Sequence, residues 1–129
     1  MGSGTNIGRV RGLGSAKEGA HHWILQRVTA VGNLALISWL IFSLLRLPNY
    51  GHELMIGWLS SPLVAVPMIL MLVSIFWHLR LGLQVLIEDY IQDHGLKFGV
   101  ILLLNFFAIG GAALGIFAVA KVAFTGVAA

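Results

Sequence analysis

The chain has 129 residues, of which 58% are hydrophobic and only 10% charged, and its mean hydropathy is +0.91. Globular chains carry about 25% charged residues and disordered ones are poor in apolar residues, so both classes are excluded; without cysteine, so are a disulfide scaffold and thiolate-held clusters. A net charge of +3, scattered between apolar runs, forms no basic patch for a nucleic acid, and at ~20 residues per crossing the length admits three or four bilayer spans.

Residues 1–27 form a basic, glycine-rich segment in which Arg9, Arg11, Lys17 and Arg27 stand against Glu18 alone. The apolar run that follows is as long as a full span and lacks a small-residue cleavage site, so a retained helix is expected rather than a secretory signal. Ser15-Ala16-Lys17-Glu18 fits a capping box, which sets a helix start near Ala16. The first span covers 28–47, uncharged from Val28 to Leu45 and closed by Arg46. Leu47-Pro48-Asn49-Tyr50-Gly51 reads as a turn, and 52–61 as a polar–apolar connection with Tyr50 and Trp58 as interfacial aromatics. The second span, 62–87, opens on Pro62, a favoured first helical position, and carries Pro67, a potential kink, just inside. Glu88, Asp89, Asp93, His94, Gly95 and Lys97 mark the next loop, and the third span, 98–120, is uncharged up to Lys121.

The N-terminal segment and the second loop together hold five Lys and Arg, against two on the opposite side, Arg80 apart. The positive-inside rule then sets the N-terminus inside and the C-terminus outside. The expected fold is all-α: an integral membrane bundle of three transmembrane helices.

Two ionisable residues, His78 and Arg80, fall inside the second span, where each costs roughly 2.5–3.5 kcal/mol to insert. Ser74 and Gly82 lie four residues to either side of His78, so one helix face reads small–His–small. That face suits a flat cofactor against the backbone, such as a haem ligated by the imidazole; it equally suits a core histidine bonded to another helix. Asp89 follows His78 by eleven residues, within about 20° of the same face and ~16 Å along the axis, at the membrane edge with Tyr90. A phenol beside carboxylates there can donate to a quinone carbonyl and help to supply protons, or it can serve as a belt anchor. Arg27, His21 and His22 stand at the entry to the first span on the same side, where haem propionates and lipid phosphates are the competing partners. Arg80 points about 200° away from His78 and needs an acid or carbonyl on a neighbouring subunit, or reach to the interface. Gly111 and Gly115 form a GxxxG pattern, read as helix packing. Phe106, Phe107 and Phe117 read as lipid- or core-facing, and His52 and His94 as solvated loop residues.

Two segments carry a resemblance that goes further: Gly19-Ala20-His21-His22-Trp23-Ile24-Leu25-Gln26-Arg27-Val28-Thr29-Ala30, and the stretch from His78 through Gly82 to Asp89-Tyr90. The second is similar to an H-x-x-x-G-x-x-x-x-x-x-D-Y signature with every fixed position filled. Together they resemble the small hydrophobic membrane anchor family of succinate dehydrogenase, respiratory complex II, almost chain-wide. That resemblance implies that His78 is one axial ligand of a b-type haem, the second coming from a cytochrome b-type companion anchor. It implies that Tyr90 hydrogen-bonds a ubiquinone carbonyl on the inner side, with Asp89 supporting proton supply. Arg27 and His21 would lie near the haem propionates, with Ser74 and Gly82 beside the macrocycle. FAD and iron–sulfur clusters would belong to two water-soluble partners, a flavoprotein subunit and an iron–sulfur subunit, held at the inner (cytoplasmic) membrane. A fumarate reductase anchor and a non-redox small membrane protein are the alternatives.

Overall fold

The computed structural model describes residues 17–126, and among them the fold is entirely helical. Four helices follow in chain order: α1 (Lys17–Leu45), α2 (His52–Ser60), α3 (Pro62–Tyr90) and α4 (His94–Thr125). The capping-box residues Ser15 and Ala16 lie outside the described residues. Three of the helices, α1, α3 and α4, are long and apolar enough to cross a membrane. The expectation of a three-span all-α bundle is met, with one short helix added between the first two spans.

Each break has a local cause. Helix α1 stops before Pro48, which disfavours helical backbone at the residue preceding it. The Leu47 amide donates to the Leu44 carbonyl at 3.1 Å, and the Asn49 side chain accepts from the Gly51 amide at 3.0 Å. The connection expected over 52–61 is the short helix α2. Its Trp58 stacks on Trp39 of α1, with centroids 6.5 Å apart, while the Ser60 hydroxyl reaches the Val122 carbonyl of α4 at 3.2 Å. Trp58 therefore packs between elements, whereas Tyr50 stays exposed and donates to the Leu44 carbonyl at 3.3 Å. A single extended residue, Ser61, separates α2 from Pro62 at the start of α3.

The polar cluster after the second span is mostly helical. Helix α3 runs through Glu88, Asp89 and Tyr90, and α4 begins at His94, so only 91–93 connect them. Asp93 makes this possible by capping α4: its carboxylate accepts from the Leu96 amide at 2.7 Å. Lys97 reaches back to the Glu88 carbonyl at 3.1 Å, a cation at the C-terminal end of α3. His94 and His52 are exposed first residues of helices rather than loop residues. At the far end, Gly126 adopts φ +64° and closes α4 by donating to the Val122 carbonyl, a conformation that a side chain would strain.

Helix α3 is central: α1 and α4 each pack along it and not against each other. Its seam with α4 is closed by the GxxxG glycines. A methyl group at Gly111 would fall 2.5 Å from Phe76 Cε1, and one at Gly115 would fall 3.1 Å from Leu72. Phe76 is further held by Phe107, at 6.3 Å between centroids. Among the described residues the buried set is small and purely apolar (Val64, Ala65, Met71, Leu81 and Ile87 on α3; Leu104, Ala108 and Val122 on α4). Phe106, Phe117 and many other large apolar side chains face outward. Such a surface is stable only where lipid or another membrane chain covers it.

Candidate functional site

The α1–α3 seam is built differently from the glycine-packed part of the α3–α4 seam, because its contacts are polar. The His78 Nδ1 lies 3.0 Å from Thr29 Oγ1 on α1. That hydroxyl also lies 2.8 Å from the Leu25 carbonyl and 3.2 Å from the Gln26 carbonyl of its own helix. Carbonyl oxygens only accept, so the single hydroxyl proton goes to them, and the oxygen accepts from Nδ1–H of His78. In the tautomer that satisfies these partners, Nδ1 carries the proton and Nε2 is the ring nitrogen left for a metal.

Ser74 and Gly82, the small residues flanking His78, bring α1 within reach. The Ser74 hydroxyl donates to the Thr29 carbonyl at 3.3 Å and faces Gly32, where a methyl group would meet it at 3.4 Å. At Gly82 a methyl group would meet Gln26 Nε2 at 3.4 Å. The room beside His78 left by these small side chains is thus taken by α1, which supplies the hydroxyl that orients the ring.

Toward the N-terminus of α1 the seam opens into a groove of about 870 Å³, lined by His21, His22, Gln26, Arg80, Gly82 and Gln84 among others. Two polar atoms of these lining residues, His22 Nε2 and Gln26 Oε1, are buried without a hydrogen-bond partner, as is Asn33 Oδ1 further along α1. Orphaned polar atoms in an apolar setting mark places where a further polar group belongs. Among the described residues no group of three His, Asp or Glu is placed to hold a bare metal ion. His78 does not itself line that groove, but the polar seam beside it and the orphaned groups suit a cofactor with polar substituents, such as a haem.

The remaining sequence-derived candidates stand apart. Arg27 is exposed, its guanidinium 4.9 Å from the Trp23 ring centroid, and it does not line the groove. Asp89 and Tyr90 end α3, also outside the groove; Tyr90 is 80% exposed, and neither side chain has a partner among the described residues. Arg80 binds within its own chain: Nε donates to Asn105 Oδ1 on α4, and its guanidinium lies 5.1 Å from the Trp77 centroid. That bond goes to neither a neighbouring subunit nor the interface, because α4 returns beside α3 with Asn105 at a matching depth. Thr29, Gln26 and Asn105 do not stand out in the sequence, although each is a polar residue within an apolar run, the signal that identifies His78.

Three long apolar helices define a multi-pass membrane protein, with a histidine at mid-span and unpartnered polar groups at one end. The family model of the succinate dehydrogenase/fumarate reductase transmembrane subunit matches residues 1–112, and the chain belongs to that family. Among similar proteins, the succinate dehydrogenase hydrophobic membrane anchor subunit of Rickettsia conorii is 40% identical over 105 residues, covering 80% of this chain and 82% of that protein. Its counterpart in Rickettsia bellii is 35% identical over 103 residues, with the same coverage of 80% and 82%. The succinate dehydrogenase membrane anchor subunit of Reclinomonas americana is 29% identical over 104 residues, 72% of this chain and 80% of that protein.

Proposed function

We propose that the chain is the hydrophobic anchor of a succinate dehydrogenase and contributes to its haem b and ubiquinone sites. It docks a flavoprotein and an iron–sulfur protein to the inner (cytoplasmic) membrane, beside a cytochrome b-type companion anchor. FAD and the iron–sulfur clusters reside in the water-soluble partners, and the chain contributes to an oxidoreductase without containing an active site of its own. The N-terminus and the α3–α4 connection face the inside, where the basic residues concentrate. The observation that carries the haem assignment is the Thr29–His78 bond at 3.0 Å, which presents Nε2 as a ligand.

Within this reading each residue has a definite task. His78 would hold the iron of a haem through Nε2, with a further ligand from the companion anchor. Thr29 fixes its tautomer and ring plane, while Ser74, Gly32 and Gly82 keep α1 close enough for Thr29 to reach. His21, with Arg27 at the rim, meets the propionates through charge-assisted bonds, and His22 supplies the adjoining polar wall. Haem b, when bound, holds one electron at a time beside the path from the iron–sulfur clusters to the quinone. Tyr90, on the exposed end of α3, donates a hydrogen bond to a ubiquinone carbonyl and so favours negative charge on that oxygen during reduction. Asp89 beside it is open to water and relays protons that the forming quinol takes up.

Isolation in mild detergent tests the assignment. The chain should retain a flavoprotein, an iron–sulfur protein, a second apolar anchor and a haem absorption band; isolation without them would overturn it. Tyr90→Phe in that complex should lower quinone reductase turnover by about a hundredfold while succinate oxidation by a soluble acceptor persists.

A further inference from the structure

Arg80 is a permanent cation inside the second span, without a counter-charge among the described residues. It lies seven residues inside the end of the second span at 87, and Asn105 seven inside the start of the third at 98, which puts both ~10 Å along the axis from the polar ends of the spans. Its nearest carboxylate along α3, Glu88, is two turns away and accepts from Gln84 at 2.8 Å. Among the described residues Arg80 has one hydrogen bond, from Nε to Asn105, and one ring contact, to Trp77. Its two Nη groups have no partner. They are not among the buried unpaired atoms, so they are open to the outside of this chain.

The side chain does not snorkel. Trp77 lies one turn earlier on α3, so the cation–π contact at 5.1 Å draws the guanidinium toward the bilayer centre, away from Glu88 and the near edge. Asn105 holds it there. The His78 ring leaves α3 about 200° around the helix from Arg80, although the Arg80 side chain also borders the groove beside His21, His22 and Gln26.

From Arg80 and Asn105 a groove of about 620 Å³ runs outward between α3 and α4, over Val73, Ala108, Ala112 and Ile116. Its α4 wall, from Asn105 to Ile116, extends ~16 Å along the helix axis, and its alanines allow close backbone approach. We propose that this groove seats a transmembrane helix of a partner subunit, and that a carboxylate on that helix takes both Nη groups of Arg80. A guanidinium offers two parallel donors to one carboxylate, and in low dielectric that pairing offsets the insertion cost of both charges. Asn105 and Trp77 hold the fork open to the groove before the partner arrives. The inference rests on the chain being one subunit of a membrane complex.

The assembled complex supplies the test. Arg80→Gln keeps an amide that can bond Asn105 but removes the charge, and it should reduce the companion anchor recovered in mild detergent by about tenfold. Arg80→Lys, which keeps the charge without the fork, should fall in between. Equal recovery with all three side chains overturns the carboxylate pairing. A photo-reactive residue at Ala112, with Arg80 intact, should form an adduct with one transmembrane segment of a partner; adducts with phospholipid alone overturn the helix as occupant. Absence of any co-purifying subunit from the wild-type chain would instead overturn the anchor assignment, so the two failures are distinguishable.

Discussion

The two seams along α3 use small residues to opposite ends. Against α4, Gly111 and Gly115 admit aromatic and aliphatic side chains, and the contact is dispersion packing between Phe76, Leu72 and α4 backbone. Against α1, Ser74, Gly32 and Gly82 admit polar groups, and the contact is a hydrogen-bonded ladder ending on His78. In lipid there is no hydrophobic drive between helices, so association depends on close packing or on interhelical hydrogen bonds. The α1 seam rests on hydrogen bonds, whereas the α4 seam is close-packed over Gly111 and Gly115 and adds the Arg80–Asn105 bond nearer its inner end. The lesson is that a small residue in a span states only that something comes close; the chemistry of what comes close assigns its role.

Substitutions can break this contrast. The largest effect is expected at the end of the polar ladder: His78→Ala should remove the low-spin haem spectrum of the complex, and a spectrum unchanged at full occupancy would refute the ligand assignment. In the apolar seam, Gly111→Val should cost roughly 1–3 kcal/mol by overpacking Phe76, lowering the thermal midpoint in detergent with the haem spectrum intact. A spectral change there would mean that the seams are not separable.

Thr29→Val is subtler, removing a bond worth about 0.6–1.7 kcal/mol within the membrane. It should leave the haem bound but shift its midpoint potential and weaken retention, about tenfold at most, because the ring nitrogen loses its acceptor. Thr29→Ser should restore both, since it keeps the hydroxyl; if Val and Ser behave alike, Thr29 does not position the ring. The smallest effect belongs to Ser74→Ala, about 0.6 kcal/mol for one interhelical bond, read as a slight loss of thermal stability with the potential unmoved.

The contrast also accounts for what is readable in the sequence. The three spans are legible because uncharged runs of this length have few other uses. His78 and Arg80 stand out because charge and apolar surroundings conflict. The extension of α3 through Tyr90 is not legible: a cluster of polar residues reads as a loop, yet Asp93 caps the next helix within three residues. Helix α2 escapes notice for a related reason, since nine residues of mixed polarity carry little periodic signal. Arg80, whose charge points to another subunit for its first bond, instead uses Asn105, a residue inconspicuous among apolar neighbours.

By itself, then, the sequence determined the number of spans, the residues that are costly in lipid and, through the His78–Tyr90 segment, the family resemblance. Only the tertiary structure decided which polar group meets which. Thr29 and His78 are 49 positions apart, and Arg80 and Asn105 are 25. Each pairing depends on the depth and rotation of two helices that are apolar on almost every face, so no periodic stripe announces the inward side. Those phases are set where the chain can approach itself most closely, at Gly32, Gly82, Gly111 and Gly115, and that is a property of two surfaces together rather than of either sequence run alone.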